Sequence, residues 1–122
     1  MKCLTVRSPY AQLIVNGDKR VETRSWSTDH RGALGIHVSL VRADLTPGER
    51  RLMIGPDERR GCIIGRVALI DVVRIGDLGD LDPCEVALGN FADPNHFAWV
   101  IRRPRPLLRP VPATGTYGLW EV

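Results

Sequence analysis

The residues best suited to chemistry lie in one short stretch, GDKRVETRSW, which spans residues 17–26. Its charged and aromatic members follow the pattern G-x-K-x-x-E-x-R-x-W. Because side chains alternate along a strand, Glu22, Arg24 and Trp26 would share one face. Glu22 and Arg24 could then pair or hold one polar ligand together. Lysine is scarce in this chain, with two residues against fifteen arginines, so Lys19 is not compositional background.

Lys19 and Glu22 are the first candidates for catalysis or charge recognition. The Lys19 ammonium could bind phosphate, or act as a base or nucleophile if its pKa is lowered. Glu22 could move a proton, hold Lys19, or form a structural ion pair with Arg24. Lys19 follows Gly17 at the start of a strand, where we expect it to reach solvent. Its replacement should therefore affect ligand handling more than folding, and a plain surface lysine is the alternative.

Arginines and aromatic residues near this stretch could recognise a nucleotide. Arg24 and Arg31 carry planar guanidinium groups that suit phosphate or carboxylate. Tyr10 and Trp26 carry flat faces, and an aromatic ring beside arginines is a common arrangement for stacking an unpaired base. Either ring could instead belong to the core, so both interpretations stay open.

Two polar residues lie in otherwise apolar strand patterns. His37 falls opposite the apolar face of a strand over residues 33–39, with Ser39 two residues later. It could point into a cavity as a general acid or hydrogen-bond donor, or be a buried structural histidine. Asp71 interrupts the longest apolar run, residues 62–75, which predicts a central strand buried on both faces. A buried Asp71 would need a partner, and Lys19 or Arg24 would serve.

The elements that must position these residues are short. Ser8 and Pro9 predict the start of a helix that ends at Gly17, and Thr46 begins a capping-box pattern. Strands are predicted over residues 3–7, 19–26, 33–39, 62–75, 96–103 and 118–122, helices over 9–16 and 47–53, and one helical turn near 83–88 in a loop over 76–95. Four prolines after Arg103 should keep the next segment extended but outside the centre of a sheet. The pattern alone leaves a small barrel and an open α+β sheet both possible.

Length and composition predict one domain over residues 1–122, without a signal peptide or a membrane-spanning run, in the cytoplasm. Cys3, Cys62 and Cys84 are odd in number and lack C-x-x-C spacing, which indicates reduced thiols. We find no phosphate loop of glycines and no metal-ligand spacing, and we therefore expect neither a metal nor a cofactor. Oligomeric state is left open.

The distribution of charge says more than the net charge of +3. No acidic residue falls between Asp93 and Glu121, whereas four arginines do: Arg102, Arg103, Arg105 and Arg109. Such a strip could attract the phosphates of a nucleic acid. The alternative is a set of arginines solvated on an edge strand and loop.

The signature G-x-K-x-x-E-x-R resembles that of the ASCH domain, a small β-barrel domain related to the PUA RNA-binding fold. The segments LTVRSPYA (residues 4–11), RGALGIH (31–37), IGRVALID (64–71) and GTYGLW (115–120) match as well. The resemblance implies an α+β, PUA-like mixed barrel of five to six strands with two or three short helices. It also implies a cleft in which Lys19, Arg24 and Arg31 meet RNA, another single-stranded nucleic acid or a modified nucleoside.

An enzyme is the alternative that the resemblance implies. Some small ASCH proteins are metal-independent amidohydrolases that remove an acyl group from the exocyclic nitrogen of cytidine, and others are reported as ribonucleases. In the amidohydrolases, a threonine stands at the position of Glu22 and acts with the lysine and a downstream carboxylate. Here Thr23 lies one position late, which leaves Lys19, Glu22 and Asp71 as the catalytic candidates. A pocket for another nucleobase-like metabolite is a third possibility.

Overall fold

The structure is a computed structural model that describes residues 1–41, 43, 45 and 58–122. The helix predicted over residues 47–53, with its capping box at Thr46, lies outside the described residues. The described strands are β1 (Lys2–Val6), β2 (Val21–Arg24), β3 (Gly32–Val38), β4 (Cys62–Arg74), β5 (Phe97–Pro112) and β6 (Leu119–Glu121). The described helices are α1 (Tyr10–Asn16), α2 (Pro83–Ala87) and a 3-10 turn (Ile75–Asp77).

The six strands form one curled sheet in the order β2-β5-β4-β3-β1-β6. β1 and β3 run parallel, and every other neighbouring pair is antiparallel. The sheet is a half-barrel, because its end strands β2 and β6 do not pair with each other in the part of the chain described here. The predicted α+β, PUA-like architecture is confirmed in this form.

Helix α1 packs against the concave side of the sheet. It ends at Gly17, whose φ of 88° is the left-handed conformation that the sequence predicts for a helix end. A Cβ on Gly65 of β4 would lie 2.6 Å from Val15, so glycine is what lets the helix approach this strand. The predicted N-cap role of Ser8 is wrong: its side chain makes no cap bond, and its Oγ is buried with no hydrogen-bond partner among the described residues.

β4 is the long strand that its apolar run predicts, but it is buried on both faces only over residues 63–65. β3 pairs with β4 only as far as Leu69. Beyond that residue, β4 keeps β5 as its one neighbour, and Ile70 and Asp71 are exposed. The prediction of burial on both faces is therefore wrong for most of the strand, since Arg66 is already exposed, and beyond Leu69 the strand has left the centre of the sheet.

β5 continues nine residues past the predicted end at Arg103. β2 covers only its first four residues, so the proline-rich half pairs with β4 alone. The N–H of Ala113 donates to Gly61 O on the β4 side, which places Pro112 and Pro110 on the free side of an alternating strand. The free edge therefore lacks donors at these positions, as expected for a segment that is not a central strand.

The core lies between α1 and the concave face of the sheet. Trp99 of β5 is its largest fully buried side chain. Around it pack apolar residues from α1 and from every strand except β2 and β6, namely Leu4, Val6, Ala11, Ile14, Val15, Leu34, Ile36, Val38, Ile64, Val67, Leu69 and Ile101. This core fixes β1 and β5, and through β5 it fixes β2, which carries the signature.

Candidate functional site

An open cleft of about 1090 Å³ lies between the two end strands of the sheet, β2 and β6. Its walls come from the end of β1, from β2 and the residues after it, from residues 88–90 after α2, and from residues 115–118 before β6. The cleft therefore exists because the half-barrel is not closed. Its volume is slightly above the range of about 300–1000 Å³ that is usual for clefts that hold small molecules.

Glu22 and Arg24 form an ion pair on the wall of this cleft. Arg24 Nη2 donates to Glu22 Oε2 at 2.9 Å and to Thr5 O at 2.9 Å. Glu22 Oε1 accepts from the backbone N–H of Thr23 at 3.1 Å. Same-face pairing of Glu22 and Arg24 is thus confirmed. A guanidinium has five N–H donors, and only Nη2 of Arg24 is engaged by the described residues, so the others are available to a ligand.

Lys19 lies behind the signature strand and does not line the large cleft. Its side chain is 1% exposed, and Nζ donates to Val21 O and to Leu88 O, both at 2.7 Å. Glu22 Oε1 is 3.7 Å from Nζ, and the ring centroid of Tyr10 is 5.7 Å away. The expectation that Lys19 reaches solvent is therefore wrong. Burial lowers the pKa of Lys19, and the negative charges of Glu22 and then Glu85 oppose that shift.

Lys19 is buried because residues 83–90, which we call the cover segment, lie over it. Besides Leu88 O, the cover segment supplies Glu85 Oε1, which accepts from the backbone N–H of Arg20 at 2.6 Å. The N–H of Asn90 donates to Thr23 Oγ1 at 3.1 Å. No residue of helix α2 within the segment is itself buried. These polar contacts to the signature are thus the described features that hold the cover segment in place.

The two predicted stacking residues, Tyr10 and Trp26, both line the cleft and are both half-buried. Trp26 makes an edge-to-face contact with Trp99 at a centroid distance of 4.8 Å, and Trp99 Nε1 donates to Trp26 O at 3.2 Å. The two alternatives that the sequence left open for Trp26, a core residue and an accessible ring, therefore both apply. Trp26 packs on the core and remains accessible at the cleft.

Arg7, Asn90 and Tyr117 are among the cleft residues that sequence reasoning missed. Arg7 and Tyr117 are exposed, and Tyr117 fully so. The signal for Tyr117 was its place between two glycines in GTYG, a turn that presents a side chain outward. Arg7 and Asn90 carry no such signal, because the position of each residue at the cleft depends on where a loop returns to the sheet.

Comparisons with known proteins show the family to which this chain belongs. The model of the ASCH domain family matches residues 4–107. The chain belongs to the ASCH domain family. It is 31% identical over 133 residues to "Activating signal cointegrator 1" of Homo sapiens, covering 98% of this chain and 22% of that protein, and the protein of the same name from Mus musculus gives the same values. The chain thus spans about a fifth of the length of these relatives.

Solved ASCH structures share the fold. The ASCH protein of Zymomonas mobilis superposes with a TM-score of 0.68 at 16% identity, covering 99% of this chain and 86% of that one. A tyrosine-to-phenylalanine variant of the Zymomonas protein gives a TM-score of 0.55 at 17% identity, with 91% and 74% covered. At these identities, the likeness establishes the ASCH fold and no more.

Asp71 and Arg31 do not line the cleft described above. The register aligns Glu22 with Trp99 and Trp99 with Val72, so Asp71, one residue before Val72, faces the opposite side of the sheet. Its Oδ1 is 3.7 Å from Arg31 Nη2, and the Asp71 side chain is 60% exposed. The suggested partnership of Asp71 with Lys19 or Arg24 is therefore wrong.

His37 lies directly behind the cleft wall and does not point into the cleft. Its Nε2 is 2.7 Å from Ala113 O, and its Nδ1 is 3.1 Å from Thr5 Oγ1, which accepts from Trp120 Nε1 at 3.0 Å. A carbonyl only accepts, so Nε2 carries the proton, and Nδ1 can accept from the Thr5 hydroxyl. This is the structural-histidine alternative. Ser39 does line the cleft, and its Oγ accepts from the backbone N–H of Val41.

The predicted arginine strip lies outside the cleft. Arg102, Arg103 and Arg105 are exposed on the half of β5 that pairs with β4 alone, and Arg105 lies directly opposite Arg66 of β4. Neither member of this like-charged pair forms an ion pair with an acidic residue described here. Among the described residues, no ion pair joins an acidic side chain to the strip, so its arginines form a positively charged surface there.

The described residues contain neither a metal site nor a membrane-spanning helix. No group of three or more His, Cys, Asp and Glu residues in this part of the chain is arranged to hold a metal ion. Among the same residues, no helix is long and apolar enough to cross a membrane.

Proposed function

We propose that the cleft binds single-stranded RNA or a nucleotide derived from it. The observation that supports this function best is the combination on one wall of Arg24, already oriented by Glu22, with the accessible rings of Tyr10 and Trp26. A guanidinium with free donors suits a phosphate or a base edge, and an accessible ring suits an unpaired base. The family resemblance noted in the sequence supports the same class of ligand.

The signature residues would divide this work between contact and positioning. Arg24 would contact the ligand. Glu22 and Thr5 O would hold Arg24 in place, since both accept from the same nitrogen. Lys19 would act through Glu22, because it lies 3.7 Å from that carboxylate and does not line the cleft. A ligand phosphate near Arg24 would then meet a positive group that has already lost its conformational freedom.

Fluorescence anisotropy with labelled single-stranded RNA tests the proposal. Arg24→Gln should weaken binding at least tenfold, equivalent to about 1.4 kcal/mol, because it removes a charge-assisted hydrogen bond to the ligand. Arg74→Gln is the matched control, since Arg74 is exposed on β4 and does not line the cleft. Equal affinities for the Arg24 variant and the parent protein would rule out the cleft as the RNA site.

Metal-independent hydrolysis of an acylated cytidine, or of RNA, is the second candidate. It is favoured by one observation: burial lowers the pKa of Lys19, which adjoins the cleft residue Glu22. Such a lysine is closer to serving as a base at neutral pH. The cover segment would have to move before Lys19 could meet a substrate. Chromatography of acylated cytidine and of RNA after incubation would reveal turnover. Glu22→Gln should abolish turnover with only a small loss of binding, because the glutamine oxygen can still accept a hydrogen bond from Arg24.

A further inference from the structure

We propose that Tyr117 stacks on an unpaired base at the rim of the cleft, an inference that rests on the proposed function. Tyr117 is the one fully exposed aromatic side chain among the described residues, and it lines the same cleft as Arg24 and Tyr10. Aromatic side chains contribute most to stability when buried. A ring that buries nothing in the protein, at the edge of a cleft with a guanidinium inside, is placed to contact a ligand.

The turn that carries Tyr117 is anchored on both sides. A Cβ on Gly115 would lie 2.5 Å from Thr5 Oγ1 and 3.0 Å from the His37 ring, so the backbone packs closely on this polar pair. His37 Nε2 bonds Ala113 O at the start of the turn, and Gly118 ends it with a φ of 72°. The turn thus presents a ring from a fixed backbone, which reduces the entropy lost on binding.

This arrangement suits a single strand rather than a duplex. In a duplex, both faces of a base are already stacked, whereas an unpaired base can lie against a protein ring. Every base has a π-face, so one tyrosine would accept any of them. Arg24 in the cleft and Arg7 at its wall supply positive charge for the adjoining phosphates. The ligand class is therefore a single strand with little sequence preference at the stacked position.

The first test measures binding of a single-stranded RNA oligonucleotide to Tyr117→Ala and Tyr117→Phe. The alanine variant should bind about tenfold more weakly, within the range for removal of one stacked base. The phenylalanine variant should stay within about twofold of the parent, because it keeps the ring. Neither should melt at a different temperature, because the ring is fully exposed. Leu108→Ala is the control, since Leu108 is 97% exposed and lies outside the cleft.

The second test identifies what the ring contacts. The parent and Tyr117→Ala are compared on a strand of the same length built from abasic residues. Stacking predicts that the alanine variant binds that strand as well as the parent does. A weakening equal to that on normal RNA would mean that Tyr117 contacts the backbone, which overturns the inference. If the parent binds RNA and Tyr117→Ala binds it equally well, only this inference fails. If the parent binds no RNA, the proposed function fails with it.

Discussion

Lys19 and Glu22 form an ion pair that is almost fully buried, with Nζ 3.7 Å from Oε1 and side chains that are 1% and 9% exposed. The shortest contacts of Nζ are not to the carboxylate. They are to the carbonyls of Val21 and Leu88 at 2.7 Å. Lys19 therefore joins β2 to the cover segment and balances the charge of Glu22, which in turn orients Arg24. Lys19 therefore supports the site through Glu22 without lining the cleft itself.

Lys19→Met should destabilise the fold by about 3 kcal/mol, as expected when one partner of a buried ion pair is removed. Methionine keeps much of the side-chain length but removes one of the two cations that pair with Glu22, and it leaves two carbonyls without their donor. Urea denaturation followed by tryptophan fluorescence measures the free energy of unfolding. This expectation replaces the small stability effect that the sequence alone suggests.

Lys2→Met is the matched control for that experiment. Lys2 pairs with Glu121 at 3.2 Å, but both side chains are well exposed. Solvent screening makes such pairs weak, so the denaturation midpoint should not move. Similar destabilisation by both substitutions would show that burial of Lys19 is not what makes it important.

The titration of Lys19 should also make the free energy of unfolding depend on pH. Its pKa is lowered in the folded protein, whereas the unfolded chain keeps the ordinary value of 10.5. Below the folded pKa, both states are protonated and folding includes the full penalty of burying the charge. As the pH rises through the folded pKa towards 10.5, the folded state loses its proton first and the penalty is relieved.

Relative to Lys19→Met, which cannot titrate at this position, the parent should therefore gain stability as the pH rises across that window. The measurement is the difference in unfolding free energy between the two proteins in a pH series that begins at neutrality. A difference that shrinks as the pH rises would mean that attraction by Glu22 outweighs burial, and that the folded pKa is raised instead.

The sequence predicted what depends on alternation and turn chemistry. The pairing of Glu22 with Arg24 follows from their spacing, and Gly17 ends its helix where expected. The burial of Lys19 could not be predicted in this way. It depends on Leu88, which lies 69 residues further along the chain in a loop without a periodic pattern. Local pattern determines which face a residue takes, but not which distant segment covers that face.

The exposure of Asp71 could not be predicted from local pattern either. An acidic residue in an apolar strand suggests a buried partner, yet the strand has lost its neighbour β3 by that point. Sheet order decides this exposure, and non-local strand pairing cannot be read from composition. The tight packing of His37 behind Gly115 is likewise a consequence of how the turn before β6 returns to β1.

The arginine strip should contribute to affinity through phosphates rather than through bases. Replacing both Arg103 and Arg105 by glutamine should weaken RNA binding. It should also flatten the logarithmic dependence of affinity on salt by about 0.7 for each phosphate that is no longer neutralised. Binding titrations at several salt concentrations measure this slope. Lys2→Gln, a surface cation of β1 that is absent from the strip, serves as the control. An unchanged slope would mean that the strip is only a solvated surface.

The cover segment should open without global unfolding. No residue of α2 is itself buried, and polar contacts hold the segment to the signature. Thr23→Val removes the acceptor for the Asn90 N–H at nearly constant volume. Hydrogen exchange in residues 83–90 should then accelerate more than exchange in β3 and β4. An acylating reagent should also modify Lys19 faster, as measured by peptide mass spectrometry with exposed Lys2 as the internal reference.

Thr28→Val is the control for this last prediction, since Thr28 Oγ1 accepts from the nearby N–H of His30 and makes no hydrogen bond to the cover segment in the described structure. It should leave both readouts unchanged. If Thr23→Val accelerates exchange equally throughout the sheet, the cover segment is part of the global folding unit. Lys19 would then remain inaccessible in the native state, and a hydrolytic role for it would lose its route to the substrate. Selective acceleration would instead show how a buried lysine can come to face the cleft.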